Sequence, residues 1–310
     1  MTPKMKTRLF LSTLFLALSW PFNIVNAQAP GYVWAVNAVG TGDDRGFKIT
    51  ADDNGNIIVT GRYHSKELMF DNIKLLNSDQ DSSTADIFVV KYSPKAKVLW
   101  AKSIGGFGDE FGTDCSTDSK GNIIFTGGYD AERINIENYT FKNKTVKGEG
   151  SDILIIKYSP DGKVIWAKSI GGAKHDGGYS TCAIDKEENI YVTGQFYSDK
   201  FMVDSLELIK SKARGADIFL AKFSSKGKLL WSKSSRGPNT FDSESQSCGV
   251  DKQGNVIISG WFGGPYIVFD GDTLKKNTGS NKKIFITKYS SLGKLIWTNN
   301  YSGFCGYNPR

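Results

Sequence analysis

Histidine and cysteine are scarce in this chain, with two and four copies among 310 residues. No Cys-x-x-Cys pair occurs, so a structural zinc site has no ligand set to draw on, and no metal or other cofactor is expected. Long apolar runs are missing as well. The first, from Leu9 to Trp20, falls short of the roughly 20 residues that a membrane-spanning helix needs, and no later one is apolar enough. An excess of one charge is also lacking. The formal charge of +7 falls to +4 without the first 27 residues, which hold Lys4, Lys6 and Arg8 and no acid. So small a charge, spread along the chain, excludes nucleic acid as the expected partner. Neither a serine nucleophile elbow nor a phosphate-binding loop is present.

What is present begins with a leader. Three basic residues, a short apolar core broken by Pro21, and small residues at Val25-Asn26-Ala27 have the form of a secretory signal peptide. Residues 1–27 are therefore expected to be removed, leaving 28–310 as an exported chain without a transmembrane segment. Periplasm, cell surface and medium are all open destinations.

Self-similarity organises the remainder. Trp34, Trp100, Trp166, Trp231 and Trp297 are spaced 66, 66, 65 and 66 residues apart. Gly61, Gly127, Gly194 and Gly260 keep step, as do the starts of apolar runs at Asp86, Asp152, Asp217 and Lys283. A fixed period of this length is the mark of a repeat architecture.

Each repeat reads as four strands. In the third they are Ser180–Ile184, Asn189–Phe196, Asp217–Ser224 and Lys228–Ser232, rich in β-branched and aromatic residues and bounded by turn formers. Turns of the Asp-x-x-Gly-Asn type (Asp52–Asn56, Asp118–Asn122, Asp251–Asn255) join the first pair. Ser159-Pro-Asp-Gly162 and its relatives join the second. Glu188 stands where the other repeats have Gly, so a different turn is expected there. Four antiparallel strands repeated radially make an all-β propeller. Its four blades are expected at about 47–104, 112–170, 178–235 and 245–301, with an extra N-terminal strand at Tyr32–Ala38.

The run from Asp152 through Lys157-Tyr-Ser-Pro-Asp-Gly162 to Trp166 and Gly172 resembles the bacterial propeller repeat called SBBP, and Ala183–Gly194 continues the match. It recurs in all four units. The resemblance implies a propeller of the kind carried by exported and surface proteins, without a shared reaction.

Residues recurring in every blade are explained by what every blade needs. Lys91, Lys157, Lys222 and Lys288, and Lys97, Lys163, Lys228 and Lys294, are read as solvated positions that discourage edge-to-edge pairing. Cys115, Cys182 and Cys248 share the slot of Ile49 and read as buried thiols rather than disulfides, with Cys305 outside the pattern. Asp52, Asp118, Asp185 and Asp251 read as turn acids rather than calcium ligands. Tyr63, Tyr129, Phe196 and Phe262 read as fillers between blades.

A single functional site should break the repeat. Arg62, His64, His175, Arg214 and Trp261 do so. Most of them, with Asp176, map to the side carrying the inter-blade loops and the link of roughly 20 residues between second and third strands. Arg62, His64, His175, Asp176 and Trp261 are the candidate ligand-binding residues. No catalytic residue is assigned.

The expectation is a non-catalytic binding or scaffold module that engages a protein or glycan through this long-loop face. The alternative is a carbohydrate-active enzyme using Asp109 or Glu110 with Asp176 as paired carboxylates. Counting strands leaves the ring incomplete. Either an open four-blade arc is expected, able to self-associate through its open ends, or a ring with the Trp34 strand added outside one sheet.

Overall fold

The computed structural model describes residues 33–81, 83–145, 150–211, 214–238, 242–276 and 282–301. The expected signal segment, residues 1–27, and Cys305 lie outside the described residues. The described residues hold strands and no helix. The chain divides into compact units at Ala35/Val36, and every strand belongs to the second.

The first repeat runs β1 (Arg45–Ala51), β2 (Ile57–Tyr63), β3 (Glu67–Phe70), β4 (Ile73–Leu76), β5 (Asp86–Tyr92) and β6 (Val98–Ile104). The second runs β7 (Glu110–Thr117), β8 (Ile123–Tyr129), β9 (Arg133–Ile136), β10 (Tyr139–Lys142), β11 (Asp152–Tyr158) and β12 (Val164–Ile170). In the third come β13 (Thr181–Ile184), β14 (Ile190–Phe196), β15 (Lys200–Val203), β16 (Leu206–Ile209), β17 (Asp217–Phe223) and β18 (Leu229–Ser234). The fourth holds β19 (Ser243–Val250), β20 (Val256–Phe262), β21 (Tyr266–Phe269), β22 (Asp272–Lys275), β23 (Lys283–Tyr289) and β24 (Leu295–Tyr301). Each repeat is one antiparallel four-stranded sheet, such as β1-β2-β5-β6, plus a two-stranded hairpin, such as β3-β4.

The four expected strands per blade are present, and the link between second and third strands holds a hairpin that the strand pattern alone did not reveal. Its signal is a two-residue turn flanked by alternating apolar residues: Asp71-Asn72, Glu137-Asn138, Asp204-Ser205 and Asp270-Gly271. The first turn residue is left-handed each time, with φ of 49°, 48°, 51° and 47°. Leu68, Phe70 and Leu75 of the first hairpin lie buried against Phe88 and Val90, covering the outer face of that blade.

Neighbouring blades pack face to face. Ile58, Ile87 and Val89 meet Phe125, Leu154 and Ile156. Ile153 and Ile155 meet Val192 and Phe219, and Ile218 and Leu220 meet Ile258 and Phe285. Burying one such side chain is worth about 1.5–3 kcal/mol. Tyr129, Phe196 and Phe262 are fully buried within these layers, whereas Tyr63, equally buried, packs under the first hairpin within its own repeat and not between blades.

A polar latch accompanies each joint. Asp52 Oδ1 accepts the backbone N–H groups of Asn54 and Asn56, and Oδ2 accepts Asn56 Nδ2. Lys91 then closes on Asp52 at 2.9 Å, Lys157 on Asp118 at 2.9 Å and Lys222 on Asp185 at 3.2 Å. Lys91, Lys157 and Lys222 of the first lysine series are therefore buried, not solvated, and Lys288 is half-buried. The buried chains thread the inter-blade layer, and the ammonium also donates to the next blade's turn, Lys91 to Pro160 O at 3.3 Å and Lys222 to Ser291 O at 3.1 Å. The second series, Lys97, Lys163, Lys228 and Lys294, is exposed as expected. Beside each buried lysine the tryptophan indole donates to the same carbonyls: Trp100 to Pro160 O at 3.0 Å, Trp166 to Ser225 O and Trp231 to Ser291 O at 3.1 Å. Gly162, Gly227 and Gly293 lie against those rings, where an added Cβ would come within 2.9–3.0 Å.

Two further expectations change. Glu188 keeps the turn of its glycine counterparts, donating its N–H to Asp185 O at 2.9 Å with φ at +64°. Its carboxylate meets Lys120 Nζ at 2.7 Å, which helps to hold the strained backbone. The extra strand expected at Tyr32–Ala38 is absent from its described part, residues 33–38, and only an isolated bridge, Val39 to Met69, follows. An outer strand needs a third strand of its own blade for a partner, and the described residues before Arg45 provide none. All four sheets stay four-stranded and pack in series, β1 on β7, β7 on β13 and β13 on β19.

Candidate functional site

The five candidate residues fall in three places. Arg62 and His64 meet on the first blade around Asp43. His64 Nδ1 lies 3.0 Å from Asp43 O, and the Arg62 guanidinium lies 5.9 Å from the Phe47 ring centre. The Asp43 carboxyl is held below the ordinary carboxylate value mainly by its hydrogen bond from Arg45. His175 sits between the second and third blades, its Nδ1 2.9 Å from Ser151 Oγ and its ring 6.3 Å from that of Tyr197.

Asp176 is next to His175 in sequence but fully buried. Its oxygens accept Tyr197 N–H, Ser198 N–H, Ser198 O–H and Gly172 N–H at 2.6–2.9 Å. Burial raises its carboxyl even so. This acid ties two loops together and is not presented to a ligand. Glu110 has the same duty, accepting Gly106 N–H at 3.0 Å and Ala131 N–H at 3.2 Å, and burial pushes it up to about 9. Asp109 accepts Ala85 N–H at 3.0 Å. The expected carboxylate pair is thus spent on inter-blade loops, and none of the three lines the central recesses described next.

Trp261 lies elsewhere, at the end of β20, and is buried rather than exposed. Lys282 Nζ stands 3.4 Å from its ring centre. It forms one wall of a recess of about 420 Å³ on the central axis, toward the long-loop side, together with Tyr179, Glu244, Gln246, Lys48 and Asp114. A second recess, of about 370 Å³, continues deeper between the inner strands and reaches Cys115, Cys182 and Cys248. Their thiols are free, and burial raises all three, Cys115 to about 12.

The inner strands aim these residues. Register shifts at Gly46/Lys48, Gly112/Asp114 and Ser245/Ser247 bulge β1, β7 and β19, and a bulge re-aims the side chain that follows it. Lys48, Asp114, Thr181 and Ser247 occupy one repeat position, immediately before the Ile49/Cys115/Cys182/Cys248 slot, yet they bring to it an ammonium, a carboxylate and two hydroxyls. Lys48 Nζ meets Asp114 Oδ1 at 3.0 Å, while Asp114 Oδ2 accepts Cys182 N–H at 3.0 Å. Burial works against the Lys48 charge, but the Asp114 carboxylate prevails and raises its pKa. Thr181 Oγ1 is buried without a hydrogen-bond partner among the described residues. Burial also raises the Glu244 carboxyl, against hydrogen bonds from Gln246 and Trp261.

Of the five candidates only Trp261 lines this recess, and sequence reasoning did not name the residues around it. Their signal was available: Lys48, Asp114, Thr181 and Ser247 break the repeat inside the strands, whereas the candidates came from loops and strand ends. Among the described residues no cluster of three or more metal-ligating side chains forms.

No family model matches the chain. An uncharacterized WD repeat-containing protein, L264, of Acanthamoeba polyphaga mimivirus is 24% identical over 331 aligned positions, taking in 87% of this chain and 23% of that protein. The chain thus spans about a quarter of the length of the curated relative it matches. A crystal structure of the V. cholerae biofilm matrix protein Bap1 aligns over 84% of this chain and 53% of that one. Its TM-score of 0.16 and 10% identity are too low to bear on the fold. Four-stranded antiparallel blades in regular repeat, with a WD-repeat relative, make this chain a β-propeller.

Proposed function

We propose that the chain is an exported binding or scaffold propeller, of SBBP-like repeats, whose central recess on the long-loop face receives a protein or glycan partner. One observation carries the reading. The recess is walled by the inner-strand position at which Lys48, Asp114, Thr181 and Ser247 depart from blade-to-blade likeness, whereas packing and turn positions keep it. The viral relative, named for its WD repeats, supports a scaffold-type role. Export rests on the leader at residues 1–27.

A glycan array and a pull-down with chain beginning at Gln28 test this. Tyr179→Ala and Glu244→Gln should weaken any binder found by at least about tenfold, worth about 1.4 kcal/mol, with the unfolding midpoint little moved. Loss confined to Asp161→Ala, on a short turn at the opposite side, would place the site wrongly.

A second reading has a specific observation in its favour. Asp114 and Glu244 line one recess, the first paired with Lys48 at 3.0 Å and the carboxyl of the second raised by burial, two environments of the kind a glycosidase pair uses. Release of reducing ends from a polysaccharide panel, abolished by Glu244→Gln, would favour this enzyme reading.

A further inference from the structure

We propose that the outer face of the fourth blade is a docking site for one more blade of this repeat type. The face consists of Ile257, Ile284, Ile286, Lys288 and Trp297, the counterparts of residues that close the three internal joints. In the first three blades the counterparts of Ile284 and Ile286 are buried: Ile87 and Val89 at 0% exposure, Ile153 and Ile155 at 0%, and Ile218 and Leu220 at 1% and 2%. Ile257, Ile284 and Ile286 remain half-open, and Trp297 is 37% exposed where Trp100 and Trp166 are 9% and 8%.

The latch is set, but no described residue of a further blade closes over it. Lys288 pairs with Asp251 at 2.8 Å like its counterparts, yet these side chains are 21% and 17% exposed against 6% or less in the three joints. No described residue accepts a hydrogen bond from Trp297 Nε1, while Trp100, Trp166 and Trp231 each donate to a turn carbonyl.

Those joints define the occupant. It must bring a strand pair whose turn offers a carbonyl to both the indole and the ammonium. It must also place glycine at a left-handed position against the ring, as Gly162 (φ 82°), Gly227 (79°) and Gly293 (77°) do. A second copy of this chain fits less well. Its first-blade turn has Ala96 at that position, φ 62°, and a β-carbon there would press on the Trp297 ring.

The test extends the full chain, placing a copy of residues 171–234, with its Ser224–Gly227 turn, after Tyr301. Trp297→Ala should change the unfolding constant less than about fivefold in the natural chain and more than about 100-fold in the extended one, as loss of a buried aromatic does. Replacing the glycine of the appended turn by Ala should remove most of that difference, which mere apolar cover would not. Three outcomes overturn the proposal. One is an equal, small effect in both chains. Another is an appended repeat that stays protease-sensitive while residues before it remain folded. The third is dimerisation of the natural chain by light scattering, abolished by Trp297→Asp, which would make a second copy the occupant.

Discussion

Replacing Lys157 by Met removes one ammonium from the layer between the second and third blades and leaves the rest of the joint in place. Lys157 Nζ lies 2.9 Å from Asp118 Oδ2, and the two side chains are 4% and 1% exposed. Burial drives the Asp118 carboxyl upward, but hydrogen bonds from Asn122 and Lys157 outweigh it and hold the group below its ordinary value. Breaking one side of such a pair strands a buried charge and costs about 3–5 kcal/mol. The apolar stem is kept by Met, so packing contributes little to that figure. Lys163→Met, at an exposed turn, should stay within about 0.5 kcal/mol. Lys288→Met, in the half-open fourth-blade pair, should fall between the two. Because Asp118 binds its proton less readily in the folded chain, its contribution is present above about pH 4 and lost as pH falls. The gap between Lys157→Met and wild type should therefore narrow on acidification, and Asp118→Asn should rescue much of the loss at pH 7. Urea unfolding across pH 3–7 reads all of this. A cost for Lys157→Met no greater than for Lys163→Met would refute the buried latch.

Three other outcomes are expected. Gly162→Ala, at φ 82° with its new β-carbon 2.9 Å from the Trp100 ring, should destabilise by about 2–4 kcal/mol in urea unfolding. Glu188→Gly relieves a left-handed backbone worth about 1–2 kcal/mol and loses a partly exposed ion pair worth less, so its urea midpoint should rise, more so at high salt. Protein recovered from an exporting host should begin at Gln28, and an intact Met1 in the exported fraction would show that the leader is not removed.

The blades were legible because tryptophan, glycine and the apolar third strand recur at one period, and each alone fixes the register of the others. The two-stranded hairpins such as β3-β4 were not. Strands of four residues such as Glu67–Phe70 are too short for alternation to stand out, and Asp71-Asn72 was submerged in a link that looked like a loop. The lysines misled for another reason. Lysine on a strand is ordinarily solvated, and Asp52, which buries Lys91, lies 39 positions earlier in the chain. Of the candidate site, Trp261 was reached through broken repetition, but Lys48 and Asp114 meet only because adjacent inner strands pack across a blade boundary. Asp176 shows the converse. A carboxylate in a polar loop looked available to a ligand until its four hydrogen-bond donors were in view.

Site-specific photocrosslinking in an exporting host addresses binding at the central recess most directly, since it captures a partner whose identity is still open. A benzophenone amino acid is placed at Tyr179, on the rim of the recess, or at Asp161, on a short turn at the opposite side. A discrete adduct is predicted from position 179, lost with Glu244→Gln, and none from position 161. Adducts from 161 with none from 179 would contradict a binding site in the recess.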